Sequence, residues 1–389
     1  MNNICNNYQK NLIKNLSKNN INFLKKIVNY IINTKINKGN YILILLIYNY
    51  FNSVKPNFKM ISGPCYLSYY TSSLYNKKIY IFGEYHGLTN PCNKIVDGII
   101  YNNNTNINLY LKSLFINTSV FIDFYMETPT TDLENRYLSF RPIGASDYLN
   151  KIHNEILHMH KLKLDILLRY HSINSRQEID FLKTKMWKVN KILNDIYTAL
   201  QEKKNEKAQR KINTNKIHLN AIIDIIKNEG ATYFINIILR LKIVEKELNR
   251  SIIKEHITEF FINKINQIYI QYKVYETLTN LKNSDYNIQN VEEFKKSMLI
   301  FIRIGAIIMD IYTISRIFKV FKRKTDNNRP LEINNIIIYS GYSHSLIYKE
   351  FLESLSFQKI QEIGYTGSDD NEYESRCLDM SSFTQPFFG

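Results

Sequence analysis

The sequence predicts an α/β protein: a mostly parallel sheet flanked by helices and carrying a large all-helical insertion. Three observations predict it. Short apolar runs at 79–82 (IYIF), 120–126 (VFIDFYM) and 336–339 (IIIY) have the length and composition of buried strands. Each stops at a glycine or at a glutamate followed by proline, where pairing ends. Between the second and third runs, 176–324 holds few glycines and no proline, and its apolar residues recur at helical spacing, as in Ile222, Ile225, Ile226 and Ile237, Ile238, Leu241.

Taken in order, residues 1–54 form an N-terminal helical region, with Leu24, Ile27, Ile31 and Ile32 on one helical face and the apolar run 41–51 as its docking surface. Residues 55–185 and 325–389 form the α/β core. Within it, 65–72 and 78–82 read as a strand pair joined by a hairpin-like turn at SLYNK. Residues 144–160 read as a helix leading to a strand at 164–170 (LDILLRY), after which His171 and Arg176 stand at another strand end. His153, His158 and His160 read as helix-surface residues, because no carboxylate completes a known metal motif with them. Residues 186–324 form the helical insertion, with breaks at Gly230 and at 283–286. The last strands are 336–339 and 357–363. The tail ending in FTQPFFG is expected to be extended and to pack back through its phenylalanines.

At 389 residues the chain can bury a substantial core. Its richness in Asn, Ile, Lys and Tyr, with 29 Tyr against 12 Gly and 7 Pro, is what an AT-rich genome encodes. Lys and Arg number 51 against 35 acids, a net +16. That excess attracts polyanions without sequence recognition. No zinc-finger or RNA-recognition motif accompanies it, so the clusters 203–211 and 322–324 read first as solvated surface and second as a polyanion or protein contact. Cys5, Cys65, Cys92 and Cys377 show no C-x-x-C spacing and read as free thiols in a reducing compartment. The run 41–51 is too short to span a bilayer. A cytoplasmic protein with no transmembrane span is the expectation.

The chemistry-bearing residues stand at the strand ends. The first run closes in Gly83-Glu84-Tyr85-His86-Gly87, the third in Gly341-Tyr342-Ser343-His344, and the second in Glu127-Thr128-Pro129. Open α/β sheets bind their ligands at the carboxyl edge of the strands. His86, Glu127 and His344 are therefore expected in one cleft. Ser343 and Ser345 read as turn residues, and no Gly-x-Ser-x-Gly elbow supports a serine hydrolase.

The paired Gly-x-x-His motifs, with a glutamate after an intervening strand, resemble the superfamily of erythromycin esterases, ChaN-like proteins and the TraB/Tiki group. Glu84 within the first motif is closer to the esterase and ChaN form; the Tiki form usually lacks that acid. The resemblance covers 65–176 and 335 to about 365. The same motif combination and coding bias resemble proteins of large DNA viruses, which adds host cytoplasm or the virion as the expected location.

The resemblance implies a hydrolase of an ester or amide bond, esterase-like or metalloprotease-like. In the metal-independent form His86 activates water, Glu84 or Glu127 orients it, and His344 with an arginine stabilises an oxyanion. Arg136, Arg141 and Arg176 are the candidates, and Arg176 is preferred. In the Tiki-like form His86, Glu127 and His344 hold a divalent cation (Mn, Co or Zn) with a position open for water. The alternative is a non-catalytic virion or scaffold protein, or a haem-binding one with Tyr85 or Tyr342 as axial ligand.

Overall fold

The computed structural model describes residues 58–85, 95–96, 99–100, 105–129, 147–161, 167–174, 179–321, 330–367, 377–385 and 387–388. The N-terminal region 1–54, His86, Arg136, Arg141, Arg176 and the basic triplet 322–324 lie outside them.

The fold is mixed α/β, built on a six-stranded sheet. The strands are β1 (Met60–Ser62), β2 (Tyr66–Ser72), β3 (Lys77–Glu84), the two-residue pair β4 (Ile95–Val96) and β5 (Ile99–Ile100), β6 (Thr105–Asn106), β7 (Ile122–Pro129), β8 (Leu168–Asn174), β9 (Asn335–Gly341), β10 (Gln358–Gly364) and β11 (Cys377–Asp379). The helices are α1 (Ile107–Asn117), α2 (Asp147–Lys161), α3 (Ile179–Leu182), α4 (Lys185–Gln201), α5 (Asn205–Glu229), α6 (Ala231–Leu239), α7 (Lys242–Leu248), α8 (Lys254–Gln271), α9 (Val274–Asn283), α10 (Val291–Ile317) and α11 (Tyr342–Ser354).

The main sheet runs β10-β2-β3-β9-β7-β8, and β3, β9, β7 and β8 are mutually parallel. The β2–β3 hairpin closes at Ser72↔Lys77, and Asn76 takes the left-handed conformation its turn requires (φ 48°). Strand β9 sits between β3 and β7 and is buried from Ile336 to Gly341. A strand covered on both faces reads as an unbroken apolar run, which is why IIIY shows no alternation.

Alternation along the strands sends side chains into two different cores. Tyr80, Phe82, Phe124, Met126, Ile337 and Tyr339 pack with α1, α2 and the C-terminal tail. The tail returns as expected, with Phe387 stacked on Tyr80 at 4.0 Å. On the other face Ile79, Ile81, Tyr125, Ile336 and Ile338 share one continuous core with helices α4 to α11. The helical block therefore forms the layer on that face of the sheet. Its central helix, α10, is apolar nearly all round because neighbours surround it. It is also the one described helix long and apolar enough to cross a membrane, and 78% of its apolar window is buried inside the fold, which makes it a core helix.

Three sequence expectations are corrected. Strand β8 begins at Leu168, set by its parallel register with Ile122 of β7, so His171 lies inside a strand and not at its end. Strand β7 continues to Pro129 through a register shift after Met126. Proline ends regular pairing but is tolerated at such an irregularity. Cys377 is disulfide-bonded, whereas Cys65 is a buried thiol outside any disulfide, its Sγ 3.5 Å from Gly83 O. Spacing exposes only local cysteine motifs, and a disulfide belongs to oxidising surroundings; the cysteine-based support for a reducing compartment is lost.

Candidate functional site

Strands β3, β9 and β7 end side by side, with Glu84 opposite Gly341 and Met126 opposite Tyr339. The carboxyl edge of β9 therefore has Glu84 on one flank and Glu127 on the other. Directly after Gly341 the chain enters α11, and His344 falls in its first turn. The sharp strand-to-helix passage holds because Gly83 leaves room: a Cβ there would lie 3.1 Å from Ser345 Oγ and from Tyr342 Cδ2. Ser345 is fully buried and its hydroxyl stands 3.3 Å from the carbonyls of Phe82 and Gly341, joining helix to sheet. It lies within helix α11, where the sequence reading expected a turn.

Glu127 and His344 meet. Glu127 Oε2 accepts from the Gly341 N–H at 2.8 Å, and its Oε1 lies 3.8 Å from His344 Nε2. Both residues are buried. Alternation from Tyr125, which packs on the helical layer, past Met126 on the other face puts Glu127 on the face of the helical layer, against the positive end of α11.

The structure adds a residue that the sequence reading missed. Asp310, in the middle of α10 and fully buried, has its Oδ1 2.7 Å from His344 Nδ1. An ionised carboxylate only accepts, so Nδ1 carries the proton and Nε2 is left as a lone pair facing Glu127. Asp310 Oδ2 has no hydrogen-bond partner. Among the described residues no lysine or arginine pairs with Asp310, and its ring partner is His344. Tyr348 stacks near His344, with ring centroids 6.5 Å apart. Burial, reinforced by the nearby Asp310, holds the Tyr348 phenol well above its ordinary pKa, so it stays protonated. Its hydroxyl reaches Thr313 Oγ1 at 3.4 Å. Asp310 is one acid within an apolar helix far from either motif, and the signal available was its isolation in an otherwise apolar run, IGAIIMDIYTI.

Glu84 is buried and accepts from the Tyr339 hydroxyl at 2.5 Å. Alternation from Tyr80 and Phe82 puts it on the α1/α2 face, opposite Glu127. The two glutamates thus flank the edge of β9 from opposite faces. Tyr85 is 37% exposed, while the Tyr342 hydroxyl donates to Gly367 O at 2.9 Å.

His171, the other strand histidine, belongs to a separate buried network toward the amino end of the parallel strands. Its Nε2 donates to Asp123 Oδ1 at 2.8 Å, its Nδ1 accepts from Arg316 at 3.1 Å, and it stacks on Tyr125 at 4.3 Å. Burial, aided by the arginines, pushes its pKa down to about 4 and keeps it neutral. Burial would raise the Asp123 carboxyl, but His171 and Arg169 outweigh it and hold the pKa below the ordinary value. Arg169 grips both oxygens of Asp123, at 2.5 and 3.0 Å. Arg316 and Lys319 also reach Glu247 of α7, at 3.5 and 2.7 Å, so this network ties sheet to helical layer.

Of the three helical histidines, His158 and His160 are exposed and His153 lies 3.3 Å from the Tyr170 hydroxyl. In the basic segment 203–211, Lys203, Lys204, Lys207 and Arg210 are exposed, and Lys211 pairs with Asp195 at 2.6 Å. Among the described residues no group of three or more His, Cys, Asp or Glu is arranged to hold a metal ion.

The chain matches no family model, no curated protein and no solved structure.

Proposed function

We propose that this chain hydrolyses an ester or amide bond at the carboxyl edge of its sheet. The observation that supports this most is the Asp310–His344–Glu127 alignment, in which one imidazole nitrogen is held at 2.7 Å by a buried carboxylate and the other faces a second carboxylate at 3.8 Å. The longer separation is beyond a hydrogen bond and lets one water oxygen sit within reach of both groups. His344 Nε2 takes the proton of that water, Asp310 stabilises the imidazolium that forms, and Glu127 orients the nucleophile. Removing the proton makes the oxygen a better nucleophile toward a carbonyl carbon. Glu84, held by Tyr339 on the other face, is read as support for the strand end. His86 and Arg176, which the resemblance to the erythromycin esterase superfamily brings to the site as base and oxyanion partner, complete the expected set.

In the metal-assisted form, His344, Glu127 and His86 would hold a divalent cation (Mn, Co or Zn). Two of these three meet in the fold. The Asp310 carboxylate behind His344 would fix the ring's orientation, as carboxylates behind metal-bound histidines usually do. When bound, such a cation supplies a Lewis acid and lowers the pKa of bound water. The exposed lysines of 203–211 are the surface through which a polyanionic or protein partner is reached in this reading.

A screen of chromogenic esters and amides, run with and without manganese, cobalt or zinc on wild type, His344→Ala and Asp310→Asn, tests the proposal. Activity that falls at least about a hundredfold in His344→Ala supports it. Activity unchanged in both variants overturns it. No activity together with no metal binding assigns the fold to the scaffold alternative.

A further inference from the structure

The helical layer contains a cavity of about 560 Å³, bounded by the start of α4, the end of α5, α6 and the start of α7. This is within the range of small-molecule sites, which runs from roughly 300 to 1,000 Å³. It lies on elements that contribute nothing to the strand-end site. Ile225, Ile237 and Leu241 give it an apolar wall, and Lys185, Arg240 and Lys242 stand around it. None of these three cations takes part in an ion pair among the described residues. Of the two carboxylates that also line it, Asp180 is already engaged, accepting from the backbone N–H of Phe181 at 3.0 Å and of Lys242 at 2.7 Å. With Asp180 and Glu229 against three cations, the lining keeps one positive charge in excess.

We propose that this cavity binds a small amphipathic anion, an apolar chain or ring bearing one carboxylate or phosphate group. The apolar wall takes the body of the ligand. The Arg240 guanidinium, with its forked donors, takes the head group together with Lys185 or Lys242.

The test is isothermal titration calorimetry of the full chain with octyl phosphate, octanoate, octanol and inorganic phosphate as probes. Octyl phosphate or octanoate is expected to bind once per chain, octanol at least about tenfold more weakly, and inorganic phosphate not measurably. Arg240→Ala should weaken the anion at least about fivefold, while His344→Ala leaves it unchanged because the strand-end site is separate. Equal binding of octanol and octanoate, binding indifferent to Arg240→Ala, or no binding of either anion at millimolar concentration overturns the proposal. Adsorption to phosphatidate vesicles that octyl phosphate does not compete away overturns it too, and assigns the cations to a membrane surface.

Discussion

Oδ1 of Asp310 lies 2.7 Å from Nδ1 of His344, so a helix of the insertion grips a histidine delivered by the central strand. Replacing Asp310 with asparagine keeps the shape but lets the side chain donate, which favours the opposite histidine tautomer and turns an N–H toward Glu127. Asp310→Asn is expected to lower kcat/KM by at least about tenfold, and His344→Ala by about a hundredfold or more. Steady-state kinetics on the best substrate from the hydrolase screen, with Tm recorded for each variant, checks this. A full-rate Asp310→Asn enzyme would show the contact to be structural.

Glu84 and Glu127 are expected to behave differently. Glu127→Gln removes the acceptor facing His344 and should cost about a hundredfold in kcat/KM. Tyr339→Phe leaves a buried carboxylate oxygen of Glu84 without its 2.5 Å donor. It should destabilise by about 1–3 kcal/mol while changing kcat/KM by less than roughly threefold. Chemical denaturation paired with kinetics separates the two; a large rate loss in Tyr339→Phe would return Glu84 to the chemistry.

Gly83 has a mechanical role. A methyl group there meets Tyr342, Ser345 and Tyr66 at 3.1 to 3.2 Å, tight enough that these neighbours must give by a few tenths of an ångström. Gly83→Ala is expected to cost about 1–3 kcal/mol and to lower activity, because relief comes most directly from shifting the helix that carries His344. Urea unfolding of the variant should show a reduced midpoint with an unchanged slope.

Stability should fall with acid before the carboxylates titrate. His171 binds a proton near pH 6.5 in the unfolded chain but only near 4 in the fold, because burial excludes the charge. The unfolded state therefore holds more protons between these values, so the contribution is intact above about 6.5 and is lost as pH falls toward 4. The full effect is about 3 kcal/mol, at about 1.4 kcal/mol for each pH unit. Urea midpoints from pH 7.5 to 4.5 should decline in wild type and decline less in His171→Gln, which keeps a donor for Asp123 and does not titrate. Equal slopes would rule out His171 as the titrating group.

Much of the core was legible because local physics wrote it. The run 336–339 is apolar without alternation, and it forms a strand covered on both faces. Residues from Lys185 to Ile317 lack proline and repeat at helical spacing, and they form helices α4 to α10. The start of β8 was misplaced because 164–167 are as apolar as 168–170, and only the register against β7 selects Leu168. The disulfide at Cys377 escaped for a similar reason, since a bond between distant residues leaves no local spacing.

The sequence by itself determined the alternation of strands and helices, the helical insertion, and the presence of Glu84, Glu127 and His344 at strand ends. Hydrophobic period and punctuation are properties of neighbouring residues, so they can be read along the chain. Tertiary structure decided the rest. Strand order made β9 the neighbour of both β3 and β7, pleating sent Glu84 and Glu127 to opposite faces, and packing of α10 on one face brought Asp310 to His344 across 34 positions of sequence. Those relations depend on which surfaces bury against which, and only the closed three-dimensional core specifies them.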